Sequence, residues 1–166
     1  MSISIETRNT LVRAMYVPLA LAAQVTFAPV IAIVGVQPSI LLAVFALFSF
    51  RAGALAAIWM GFSCGMILDT YASGAPGAFA LAMAVTGFLV GLFDERRVHV
   101  SHPLRVTVLG FSVLIHDGIW HMVSHHGVDK LGMFLFRVSL PSTLYTMSIG
   151  AILFAFRPPR IHARNW

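Results

Sequence analysis

The chain is predicted to be all-α, a polytopic membrane helix bundle with six transmembrane spans, and three observations carry that reading. Of its 166 residues, 58% are hydrophobic and only 10% charged, too little charge to clothe a soluble domain. The apolar residues gather in runs approaching the roughly 20 that a helix needs to cross the hydrocarbon core. The cations fall mostly between those runs, on what six spans would make one side of the membrane. Mean hydropathy is +0.86, so residues 1–166 read as a single integral membrane domain.

The elements follow in order. The first segment, Ala14 to Val36, comes after Arg8 and Arg13 and contains "ALAAQ", which has the small residues of a signal-peptide cleavage site. The apolar run continues to Val36 with more spans behind it, so it is read as an uncleaved first helix. The second segment, Pro38 to Phe50, is the short one: thirteen residues rise only about 20 Å, against a core of roughly 30 Å. The third runs from Gly53 to Tyr71, the fourth from Gly77 to Phe93, the fifth from Pro103 to His125 and the sixth from Met133 to Phe156.

Charge placement supports six. With both termini cytoplasmic, Arg8, Arg13, Arg51, Arg96, Arg97, Arg105, Arg157, Arg160 and Arg164 lie inside and only Lys130 and Arg137 outside, the asymmetry that sets topology. Small residues repeat at i, i+4, i+8 as Ala57, Gly61 and Gly65 on the third span, and as Gly87 and Gly91 on the fourth, with Ala28 and Ala32 on the first. Such stripes let helix backbones touch in lipid. They serve either packing within the chain or the docking of a partner helix.

Several function classes are disfavoured. The net charge of +5 is dispersed and forms no basic patch, so no nucleic acid partner is expected. A single cysteine, Cys64, permits neither an internal disulfide nor a cysteine-cluster metal site. Neither G-x-S-x-G nor H-E-x-x-H occurs, and no phosphate loop with its lysine is present. No catalytic residue and no cofactor is assigned, and an enzyme is the least supported class.

The ionisable residues at depth are Asp69, Asp117, His121 and Arg137. Six spans place them in one half of the bundle, and charges in a bilayer generally face its interior and find partners. Arg137 is therefore expected to pair with Asp117 or Asp69, either lining a polar seam or only fixing helix register. Pro141, four residues on, frees the Arg137 carbonyl. Asp117, His121 and His125 recur at i, i+4, i+8. Asp117 and His125 are nevertheless about 12 Å apart in helical rise, too far to share one ion whose ligands sit about 2 Å away. A wet helix face is the better reading, and no metal is assigned.

One stretch resembles a known family. "GMILDTYASGAPGAFAL", Gly65 to Leu81, is similar to the rod-shape-determining protein MreD family in Gly65, Ile67, Leu68, Asp69, Gly74, Pro76, Gly77, Ala80 and Leu81. Physically it is a helix ending in a carboxylate, a glycine turn, and a helix start whose free amides can face that carboxylate. "QPSILLAVFALFSF" and Asp117 extend the likeness, and the histidines after Asp117 have no counterpart in it. The resemblance implies a non-enzymatic scaffold of the bacterial inner membrane within the cell-elongation machinery. Its implied partners are MreC, a RodA-type glycosyltransferase with its class B penicillin-binding protein, MreB on the cytoplasmic face, and membrane lipid. It also implies a fold similar to energy-coupling-factor S-components. From that comes the alternative function, a vitamin-type transporter subunit capturing a small molecule near Asp69, Asp117, His121 and Arg137.

Overall fold

The computed structural model describes residues 37–72, 74–95, 100–124 and 131–156, together with Ala22, Gln24, Thr26 and Val30. Among these residues there are five helices: α1 (Ile40–Ala52), α2 (Ala54–Tyr71), α3 (Ala78–Leu92), α4 (His102–Ser124) and α5 (Leu131–Ala155). The last contains a π-helical segment, Leu135–Ser139. The all-α, multi-pass character stands, but the six-span architecture, and with it the expected likeness to S-components, does not. Among the described residues only α2, α4 and α5 are long and apolar enough to cross a membrane. The α1 and α3 helices have 13 and 15 residues, rises of about 20 and 22 Å. The predicted first span falls almost wholly outside the described residues, as do Ala28, Ala32, His125 and Lys130.

The hairpin of α2 and α3 is held by absent side chains. A Cβ on Gly61 would run into the Met83 carbonyl, and one on Gly87 into that of Ala57. A Cβ on Gly65 would lie 2.6 Å from the Ala80 nitrogen, and one on Gly91 2.7 Å from the Ala54 Cα. The two backbones therefore touch along an antiparallel register, and the small-residue stripes are consumed inside the chain. In lipid this close approach matters, because association rests on packing and hydrogen bonds rather than on escape from water.

The α4 and α5 helices also pack antiparallel, here with side chains over glycines, Gly110 beneath the Met147 sulfur and Gly150 beneath the Leu109 side chain. Between the helix pairs lies the core of Phe45, Phe50, Met83, Val90, Leu109, Val113 and Phe154. Phe50 and Phe154 meet edge to face with centroids 5.8 Å apart, so the carboxyl ends of α1 and α5 share one end of the bundle. Large side chains on the outside, among them Trp59, Phe62, Phe111, Phe136 and Leu144, form the lipid-facing surface of a membrane bundle.

The start of α1 lies elsewhere. Ser39, just before it, gives its amide to Thr146 Oγ1 at 2.9 Å. Thr146 is fifteen residues beyond Leu131 in α5, about 23 Å along a helix of roughly 37 Å. The short second segment is thus a half-depth helix, running from mid-bundle to one end. At that end Gly53 takes φ 81°, a backbone region glycine enters without steric cost, and turns the chain straight into α2.

These contacts separate two glycine substitutions. Gly65→Ala drives a methyl into fixed backbone and should cost about 1–3 kcal/mol. Gly118→Ala, where a Cβ meets nothing within 4 Å, should be neutral or stabilise by up to about 1 kcal/mol. Reversible unfolding in mixed micelles measures both, and equal effects would contradict the hairpin packing.

Candidate functional site

The polar groups form four separate constellations. The first closes the α2–α3 hairpin. Pro76 and Gly77 are the central residues of a turn in which the Ala78 amide donates to the Ala75 carbonyl at 3.1 Å. Gly77 has φ 86° and ψ −4°, the third-position geometry of a type II turn, which favours proline before it and glycine there. Asp69, from the last turn of α2, accepts from the amides of Phe79 and Ala80, each at 3.0 Å. Its carboxylate thus occupies the positive end of α3 and satisfies two first-turn donors. Gly74 sits close beneath Ser124, where a Cβ would come within 2.9 Å of Oγ.

The second constellation satisfies the mid-depth start of α1. Gln24 accepts from the Leu41 amide at 3.1 Å and donates to the Pro38 carbonyl at 3.3 Å. Ser142 Oγ donates to the Gln37 carbonyl at 2.8 Å, and Thr146 Oγ1 donates to the Ser142 carbonyl while accepting from Ser39. A helix terminus away from water needs such substitutes for solvent.

The third surrounds Asp117. Ser139 Oγ donates to Oδ2 at 2.6 Å, and His116 Nδ1 lies 3.2 Å from Oδ1. Arg137 does not reach this carboxylate; it is exposed. Ser139 is fully buried, and residues two apart on a helix point about 200° apart, so α5 can offer Asp117 only one of them. Asp69 and Asp117 are thus held by the α3 amides and by Ser139 with His116 respectively, and not by Arg137 as expected. His121 stacks on Phe134, centroids 4.3 Å apart and 14° between planes, and the His116 ring lies 5.9 Å from that of Phe79.

The fourth constellation was not anticipated. Glu95, after α3, takes Arg51 Nε at 3.0 Å on one carboxylate oxygen and has Arg105 Nε 3.0 Å from the other. Its amide also donates to the Phe50 carbonyl at 2.8 Å. One acid thereby ties the ends of α1, α3 and α4 together. The sequence signal was available, since Arg51 and Arg105 were already placed on one side with this acid between them in the chain.

Chemically, Asp117 stands between the imidazole and the hydroxyl, so Ser139 donates to the carboxylate and not to the imidazole. The order differs from that of a serine triad, in which the imidazole stands between the carboxylate and the hydroxyl. Among the described residues no group of three His, Cys, Asp or Glu side chains could hold a metal ion. His116 and Ser139 were missed as site residues. His116 does share the buried α4 face of Arg105, Leu109 and Ser112, a spacing that would have found it.

Two substitutions within one turn of α5 separate these roles. Ser139→Ala, which removes a donor from a carboxylate, should cost about 1.5–3 kcal/mol; Arg137→Gln should stay within about 0.5 kcal/mol. Asp69→Ala, which uncovers two helix amides, should lose about 0.5–2 kcal/mol. Thermal unfolding in detergent compares the three, and a loss at Arg137 matching that at Ser139 would reinstate the arginine as a structural partner.

No protein-family model, curated protein or solved structure matches the chain. On its own residues it is an all-α, multi-pass membrane protein with several apolar helices of membrane-spanning character.

Proposed function

We propose that this chain is a non-enzymatic scaffold subunit of the bacterial cell-elongation complex, an MreD-type protein of the inner membrane. What supports the reading is the Gly65 to Leu81 stretch, whose residues act together: Gly65 admits the α3 backbone, Asp69 caps α3, and Pro76 with Gly77 makes the turn. Its carboxylate is engaged by the chain's own amides, which suits a part that holds shape. Shape and peptidoglycan synthesis would be regulated through contact, with MreC as the principal partner. The RodA-type glycosyltransferase and class B penicillin-binding protein would be held nearby, and MreB would lie at the cytoplasmic face. The small-residue stripes of α2 and α3 are already occupied, so partners and lipid would use other surfaces.

The test is purification of the tagged protein from its native membrane in mild detergent, with mass spectrometry of what accompanies it. Recovery of a single-pass MreC-type protein together with cell-wall synthases is the expected result. Recovery of an ATPase-linked transport complex in their place would overturn the proposal.

A further inference from the structure

Hydroxyls in helices commonly turn back onto their own backbone. Here Ser49, Ser63, Thr86, Thr107, Thr146 and Ser148 each donate to the carbonyl four residues earlier. Ser112 on α4 and Thr143 on α5 have the same option, toward Val108 and Ser139, and leave it unused. Ser112 Oγ and Thr143 Oγ1 make no hydrogen bond among the described residues, although the two residues are only 1% and 3% exposed. A third such atom is His116 Nε2, in a residue 6% exposed. With Nδ1 against Asp117, a neutral ring carries its proton there and presents a lone pair at Nε2.

The helix register places the three residues within about one turn of one another in depth. Ser112 and His116 are four apart on one face of α4, and helical side chains lean toward the amino terminus, carrying the imidazole toward Ser112. The antiparallel register of α4 and α5 is fixed by the pairs Asp117–Ser139 and Leu109–Gly150. Four residues on from Ser139, Thr143 comes level with Val113, next to Ser112. Such atoms are costly to leave dry, and a buried water commonly joins about three of them.

We infer that Ser112, His116 and Thr143 line an internal hydration site at mid-depth, in which water donates to His116 Nε2 and bridges to the two hydroxyls. Water fits the chemistry: the groups are one acceptor and two hydroxyls that can give or take, with no arrangement among the described residues that would hold a metal. The site hydrates the bundle beside Asp117, while the α2–α3 interface, closed by backbone contact, is dry.

The experiment is water-edited solid-state NMR of the full-length protein, labelled with nitrogen-15 at histidine, in lipid bilayers. The His116 signal is identified by its loss in His116→Gln, and the exposed His102 supplies the signal of a ring in contact with solvent. Transfer from water protons to the His116 ring is expected in the unaltered protein, falling severalfold in the double variant Ser112→Ala, Thr143→Val. No transfer in the unaltered protein, on the timescale that saturates His102, would overturn the inference. Transfer undiminished in the double variant would overturn it equally, by placing the water elsewhere.

Discussion

The contact between the α2 and α3 backbones is the constraint on which the rest of the bundle is arranged. Gly61, Gly65, Gly87 and Gly91 allow it, and a methyl at any of them would enter the neighbouring helix. Once the helices lie this close, the first turn of α3 falls within reach of Asp69, which takes its amides. Phe79 in that turn is then carried against His116 and Trp120, so α4 is aligned by the same hairpin. The other end follows as well: Glu95, delivered by α3, draws in Arg51 of α1 and Arg105 of α4.

Hydrogen bonding sets the second condition. A polar group in a bilayer interior must find its partner within the protein, and this chain meets the demand mostly with neutral side chains. Gln24, Ser142 and Thr146 serve the beginning of α1, and Ser139 serves Asp117. Full charges meet at the Glu95 end, where the arginine and glutamate side chains retain 8–19% exposure. This division is physically economical, since a charge costs far more than a hydroxyl to withdraw from water.

Much of this was legible where the cause is local. Glycines four apart announce close helix contact, and carboxylate, proline and glycine in the order Asp69, Pro76, Gly77 announce a capped hairpin. The span count was not legible, because hydropathy measures what a segment is made of and not where in the membrane it begins. The start of α1 is decided by Thr146, 107 residues away, and nothing near Ser39 reveals it. Asp117 was misread for a related reason. Charge complementarity favoured Arg137, while the choice between Arg137 and Ser139 depended on the rotation of α5. The Asp117, His121, His125 periodicity did not single out His116, whose ring lies against Asp117, and His125 lies outside the described residues.

The half-depth beginning of α1 bears on how the protein is made. Synthesis proceeds from the amino terminus, so Ser39 emerges before the residues that will accept its amide and engage the Gln37 carbonyl. Thr146 and Ser142 belong to α5, the last of the described helices. Until that helix arrives, the amino end of α1 has neither of these partners and is poorly suited to the hydrocarbon interior, so its seating is coupled to the arrival of α5. A nascent chain of this design would complete its bundle only once α5 is added, and a product cut short before α5 would present the Ser39 amide and Gln37 carbonyl without these partners to the machinery that clears unfinished membrane proteins.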